Sequence, residues 1–136
     1  MDIMVQFNST FLLRLPLAII LLMHSIPGMF NNGIHDFGHL FLNAIGFAPF
    51  GVAIAWAVKL SHVVSAVLLL INKYVRWASW VNIFIFLFGI ILVHAKDGWF
   101  VVGGGRNGIE FNILLIFVSL ALIYPYGFPP QPKQKS

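Results

Sequence analysis

The sequence has no cysteine and very few charged residues. Only 9% of its 136 residues are Asp, Glu, Lys or Arg, whereas 60% are hydrophobic. Without cysteine the chain cannot form a disulfide, use a thiol, or hold an iron–sulfur cluster by itself. Soluble domains carry about a quarter charged residues, which they need to cover their surface. A chain this poor in charge is expected in a lipid bilayer, and the lipids are its first partner.

The positive charges are also too few and too scattered for nucleic-acid binding. The formal net charge is +4, and the basic residues are dispersed among loops instead of forming a stripe along one face. We therefore expect no nucleic-acid partner. Attraction to anionic lipid headgroups accounts for the exposed Lys and Arg residues.

Four long apolar runs dominate the chain. Each approaches the roughly 20 residues that a helix needs to cross a hydrocarbon layer of about 30 Å. They show no strand-like alternation, and helices satisfy their own backbone hydrogen bonds in lipid. The first run lacks the positive flank and cleavage site of a signal peptide, so we expect a permanent helix. The sequence predicts an all-α transmembrane four-helix bundle with spans near residues 11–30, 50–71, 77–93 and 109–124.

The segment between the first two runs predicts a short amphipathic helix at the membrane interface. Four apolar residues recur at helical spacing with polar residues between them: Ile34, Phe37, Leu40 and Phe41. His35 and His39 lie one turn apart, a spacing that can suit a metal, but no further strong ligand accompanies them. We therefore predict no metal site, and interfacial solvation explains these residues.

The predicted domain organisation is one membrane domain over residues 1–128 and a disordered, basic, Pro-rich tail over residues 129–136. An even number of spans puts both termini and the link between the second and third spans on one side. That side holds more of the basic residues that flank spans, which mark the cytoplasmic face. We predict a multi-pass protein of the plasma (inner) membrane with both termini in the cytoplasm. The four basic residues on that side are Lys73, Arg76, Lys133 and Lys135.

Several ionisable residues fall at membrane depth, where a charge costs roughly 2.5–3.5 kcal/mol on insertion scales. Such groups usually face protein or water, so we predict a polar ladder inside the bundle. Its members are Arg14, His24, Lys59, His62, His94 and Glu110.

Lys59 and His62 are three residues apart and share one helix face, which Ser65 continues. One hypothesis is a proton relay, or a polar pocket for a quinone or a lipid headgroup. The alternative is structural: Lys59 extends to the membrane surface or pairs with a carboxylate on another helix. For Arg14, contact with lipid phosphates, a structural pairing and binding of an acidic ligand stay open.

Haem is disfavoured as a cofactor. Two axial histidines must face each other at similar depth. A rise of about 1.5 Å per residue separates His24 and His62 by roughly 9 Å, and His94 lies farther out. Quinone remains the cofactor to consider.

The stretch GWFVVGGGRNGIEFNILLIFVSLALIYPYG resembles the last loop and last helix of the DoxX family of small membrane proteins. The matching positions are Gly98 with Trp99, Gly103 to Gly105, Glu110, and Pro125 with Gly127; Arg14 and Arg76 fit earlier positions. The resemblance extends from about residue 11 to residue 128, and four spans is the family's number. Many members carry a glutamate where this sequence has His62, so a role that needs a carboxylate there is not expected, and a basic pair suits an anionic group instead.

The resemblance implies a function outside stand-alone catalysis. Related proteins include a subunit of a thiosulfate:quinone oxidoreductase and components of membrane oxidative-stress complexes. We expect an accessory subunit of a redox-linked, quinone-associated complex, with another membrane or peripheral subunit as partner. Distant relatives act as chaperones or cargo receptors, so a membrane chaperone or assembly scaffold is the alternative. A small proton-coupled transporter ranks last because the spans contain no broken helix. A homo-oligomer stays open.

Overall fold

The computed structural model describes residues 7–128, and within them the chain forms helices and no strand. The predicted tail, residues 129–136, lies outside this described part. Five α-helices follow one another over residues 7–128, two of which continue into helical turns of another type. They are α1 (Phe11–Phe30), α2 (Gly33–Asp36) with a following π-helix (Phe37–Phe47), α3 (Gly51–Leu70), α4 (Val75–Gly89) with π and 3-10 turns (Ile90–His94 and Ala95–Asp97), and α5 (Glu110–Ile123).

Three of the helices are long and apolar enough to cross a membrane: Phe11–Phe30, Gly51–Leu70 and Val75–Asp97. The fourth predicted span corresponds to α5, which has 14 residues. At about 1.5 Å per residue this helix is about 21 Å long, less than the roughly 30 Å of the hydrocarbon layer. The helix stops before Pro125, because the residue that precedes a proline disfavours helical geometry. The structure therefore supports three long spans and one shorter apolar helix.

The helices pack as antiparallel neighbours, α1 against α3, α3 against α4, and α4 against α5. Two contacts set the register of the first pair. Arg14 bonds to Leu69, and Lys59 bonds to His24. From Arg14 to His24 the chain advances ten residues along α1, and their partners Leu69 and Lys59 go back ten residues along α3. This is the order that antiparallel packing requires.

Apolar side chains fill the space where these four helices meet, and many others point outward. Leu12, Phe84 and Phe117 are among the large hydrophobic residues that the fold leaves exposed. Such a surface would be unfavourable in water but matches the interior of a bilayer. The buried core comprises Leu17, Ala18, Leu21, Ala66, Leu69, Ala78, Phe86, Leu115 and Leu122.

The predicted amphipathic helix is present as α2 and the π-helix that continues it. Ile34, Gly38 and Leu42 form its buried face, whereas His35 and His39 are exposed. Leu40, which the spacing assigned to the apolar face, is also exposed, because the buried face follows residues 34, 38 and 42. It packs on the start of α3, where the Asn43 side-chain oxygen accepts a 2.9 Å hydrogen bond from the Gly51 amide. Gly38 lies against the backbone of Gly51 and Val52, a close approach that leaves no room for a Cβ atom. This segment therefore forms one side of the bundle.

Candidate functional site

A polar cavity of about 160 Å³ lies among α1, α3, α4 and the start of α5. Four of the six predicted polar residues line it: His24, Lys59, His62 and His94. Asn112 adds an amide, and the rest of the wall is almost entirely apolar. The helices thus bring together groups that are 70 residues apart in sequence, from His24 to His94.

Lys59 connects two helices at this cavity. Its Nζ donates a 2.7 Å hydrogen bond to the backbone carbonyl of His24, three residues before Pro27. In the part of the chain that the structure describes, no Asp or Glu lines the cavity. The ammonium group is therefore held by a neutral carbonyl and not by a carboxylate.

His62 is buried on the same face of α3, as the spacing predicted. Neither of its ring nitrogens has a hydrogen-bond partner among the described residues, and its ring lies 5.9 Å from that of Phe86. A neutral imidazole offers one donor and one acceptor. Leaving such a group unpaired costs about 1–3 kcal/mol. His62 is thus able to bind a polar group that enters the cavity.

His24 and His62 both line the cavity, and the side chain of Lys59, three residues before His62, reaches the His24 carbonyl. The depth difference expected between His24 and His62, and with it the argument against haem, stays a prediction.

His94 links the cavity to the glycine-rich loop. Its Nδ1 lies 2.7 Å from the carbonyl oxygen of Asn107. A carbonyl only accepts, so Nδ1 carries the proton in this contact. The Asn107 side-chain amide donates to the Asp97 carboxylate at 2.6 Å. The loop and the cavity wall are therefore held together through one histidine.

Arg14 does not reach the cavity. It is fully buried at the other end of α1, and its Nη1 donates a 2.6 Å hydrogen bond to the Leu69 carbonyl. Its Nε donates to the Thr10 hydroxyl at 3.1 Å. Of the alternatives for this arginine, the geometry fits a structural pairing, which ties the start of α1 to the end of α3.

Glu110 is also outside the cavity. Its carboxylate accepts a 2.7 Å hydrogen bond from the Val101 amide, and its own amide donates to the Trp99 carbonyl at 3.1 Å. These contacts close the loop over residues 98–109. The six residues predicted to form one polar ladder thus have three different positions. Four line the cavity, Arg14 connects α1 to α3, and Glu110 holds the loop over residues 98–109.

An apolar groove of about 270 Å³ adjoins the polar cavity. Phe37, Val58, Ile85 and Gly89 line both spaces. A polar space beside an apolar one suits a ligand with a polar head and a hydrocarbon chain. The groove is completed by Leu42, Phe47, Ile54, Phe84, Phe88, Leu92 and Val93.

Sequence reasoning missed the neutral polar residues of the bundle. Asn112 lines the cavity, and Asn82, Ser79 and Ser25 are fully buried without a partner among the described residues. A single asparagine in the apolar runs WVNIFIFLFG and EFNILLIF is a visible signal, because amides at membrane depth usually bond to other helices.

The exposed histidines of the α2 segment stack on each other, with ring centroids 5.8 Å apart. Over residues 7–128 there is no group of three or more His, Cys, Asp or Glu residues that could hold a metal ion. Polar contact with the surroundings remains the simplest account of His35 and His39.

Comparison with known proteins identifies the family. The DoxX family model matches residues 9–95. The match covers α1 through the turn after His94 and includes His24, Lys59 and His62; it ends before the Gly98–Gly127 stretch that first suggested the family. No curated protein and no solved structure matches the chain. Because the family model covers more than half of the sequence, this chain belongs to the DoxX family.

Proposed function

We propose that this DoxX-family protein is an accessory subunit of a redox-linked membrane complex and that its polar cavity receives the headgroup of a quinone. The observation that carries the proposal is the polar cavity beside the apolar groove. Quinone carbonyl oxygens accept hydrogen bonds, and Lys59 Nζ and a His62 N–H are donors. The groove between the π-helix and α4 would take the hydrocarbon tail.

A partner subunit is part of this proposal. The chain has no cysteine, so thiol or iron–sulfur chemistry in the complex must come from another protein. Lys59 and His62 can bind and orient a headgroup and exchange protons with it, while electrons arrive from the partner. The chain is therefore not a catalyst by itself in this account.

The proposed membrane arrangement has four crossings in the plasma (inner) membrane. Packing of α5 against α4 supports a fourth crossing, and a short span is accommodated by local thinning of the bilayer. With four crossings, both termini and the link at Lys73 and Arg76 lie on one side of the membrane. Basic residues flank the spans on that side, so we assign it to the cytoplasm. The π-helix segment then lies at the opposite interface. A reporter that is active only outside the cytoplasm, fused after Ser136, should be inactive. Activity of that reporter would contradict the orientation.

Purification in mild detergent tests the ligand and the partner together. Wild-type protein should carry extractable quinone and a second subunit. Lys59→Met and His62→Leu should each lose at least about tenfold of the quinone, because each removes a group from the cavity wall. His39→Leu is the matched control, since His39 is exposed and does not line the cavity. Isolation of the wild type as a lone monomer without quinone would overturn the proposal.

An assembly scaffold, or a homo-oligomer, is the second candidate, and one observation favours it. Ala53 and Ala57 lie one turn apart on an exposed face of α3, which Ser61 continues. Small residues at this spacing let another helix approach closely. If Ala57→Phe abolishes function while Lys59→Leu and His62→Leu retain it, the scaffold is correct and the quinone site is not.

A further inference from the structure

Two polar side chains are buried on α4 without a hydrogen-bond partner among the described residues. Asn82 and Ser79 are both 0% exposed, and neither the amide atoms of Asn82 nor the Ser79 hydroxyl is paired. Each such group costs about 1–3 kcal/mol, and native proteins contain few of them. Two within one turn of one helix need a physical reason.

These residues extend away from the polar cavity in one direction. His62 packs against Phe86, which fixes the level at which α3 and α4 meet. Asn82 lies four residues before Phe86, and Ser79 three residues earlier still, so Ser79 is about 10 Å from the level of the cavity. On α3, Ser65 is buried three residues after His62. Because the two helices are antiparallel, both series run toward the α3–α4 link.

The buried polar residues of α4 reach close to the end of the bundle that carries the α3–α4 link. Ser79 is only four residues after Val75, where α4 begins. At the same end, the Leu69 carbonyl accepts a hydrogen bond from Arg14, which also bonds to the Asn8 side chain at 3.3 Å. Asn8 is exposed. Buried polar groups therefore continue from the cavity to within about one helical turn of the link face.

We propose that His62, Ser65, Asn82 and Ser79 form a hydrated path that carries protons from the link face of the membrane to the polar cavity. This inference rests on the proposed function, since the quinone headgroup is the group that receives the protons. Conversion of a quinone to a quinol takes two electrons and two protons; the redox partner supplies the electrons, and the path supplies only the protons. A histidine can take a proton on one nitrogen and release one from the other. Hydroxyl and amide groups hold the bridging waters.

Cysteine accessibility tests the path directly, because the chain has no cysteine of its own. Ser79→Cys is nearly isosteric and should fold. A thiol reacts as the thiolate, which forms where water is present. A small charged methanethiosulfonate reagent should modify Ser79→Cys and Asn82→Cys at least about tenfold faster than Ala78→Cys. Ala78 is the matched control because it is adjacent, apolar and 3% exposed.

Two further measurements complete the test: the side of the membrane from which the thiol reagent reacts, and the rate of quinol formation. Modification of Ser79→Cys should be fast only when the reagent is on the link side of sealed vesicles. Asn82→Leu should slow quinol formation by the whole complex at least about tenfold without changing its quinone content. One outcome would overturn the proton path but not the quinone site. In it, Ser79→Cys and Asn82→Cys react no faster than Ala78→Cys in protein that retains quinone. Fast modification in protein that never binds quinone would support a hydrated path and contradict the proposed function.

Discussion

The Lys59 ammonium group donates a 2.7 Å hydrogen bond to the backbone carbonyl of His24 and so joins α3 to α1 at the edge of the polar cavity. At this depth a charged amine needs a polar partner, because lipid offers none. A neutral carbonyl meets that need only in part. The same side chain therefore contributes to helix packing and remains available to a ligand with acceptor oxygens.

Replacement of Lys59 by methionine should lower both stability and quinone content. A hydrogen bond to a charged group contributes about 1.5–3 kcal/mol, so the free energy of unfolding of Lys59→Met should fall by about that amount. Unfolding in detergent mixtures and extraction of quinone from the same samples measure both effects. Lys73→Met, at an exposed position in the link, should change stability by less than about 0.5 kcal/mol. Wild-type values of both quantities for Lys59→Met would contradict this role.

Arg14→Leu should destabilise the fold without emptying the cavity. The change removes the hydrogen bond to the Leu69 carbonyl and should cost about 1–3 kcal/mol in the free energy of unfolding. Arg14→Lys should not restore stability, because an ammonium group lacks the fork that reaches several acceptors. The control is Arg76→Leu, at an exposed arginine. Loss of quinone from a stably folded Arg14→Leu protein would instead place this arginine in the ligand site.

Glu110→Ala should release the loop over residues 98–109. The Val101 amide loses its acceptor, and loss of about 1.4 kcal/mol corresponds to roughly tenfold faster hydrogen exchange at that amide. Glu110→Gln keeps a side-chain oxygen and should remain closer to the wild type. Hydrogen exchange read by mass spectrometry over this loop checks the prediction. Equal exchange in the wild type and Glu110→Ala would show that Glu110 does not hold the loop.

Gly38→Ala should loosen the packing of the α2 segment on α3. A Cβ atom at Gly38 would meet the backbone of Val52, and backbone cannot yield as a flexible side chain does. Overpacking costs about 1–3 kcal/mol and exceeds the gain of up to about 1 kcal/mol in helix propensity. Gly105→Ala is the control, since its nearest neighbours are Phe100 atoms at 3.5 Å, an ordinary contact. Equal thermal stability of Gly38→Ala and wild type would contradict the close approach.

Apolar run length and residue spacing predicted much of this fold. The first two long runs coincide with α1 and α3, and the spacing of Lys59 and His62 correctly predicted one shared face. The fourth run, predicted over residues 109–124, agrees within one residue at each end with α5 (Glu110–Ile123). Its 14 residues are nevertheless fewer than the roughly 20 that a full-length span needs.

The bonding partners of the polar residues could not be read from the sequence. Lys59 and Arg14 donate to the backbone carbonyls of His24 and Leu69, and Glu110 accepts from a backbone amide. Every residue carries such backbone groups, so no side-chain pattern marks the ones that are used. Sequence patterns can indicate which side chains need a partner, but only the helix register identifies it.

Photolabelling with an azido-quinone in lipid nanodiscs, followed by mass-spectrometric mapping of the modified residues, tests whether the cavity binds quinone. We predict labels on residues that line both the polar cavity and the apolar groove, above all Phe37 and Ile85. Excess unlabelled quinone should abolish these labels, and His62→Leu should reduce them at least about tenfold. Labels confined to outward-facing residues such as Trp77 and Phe117, unchanged by His62→Leu, would contradict a quinone site in this cavity.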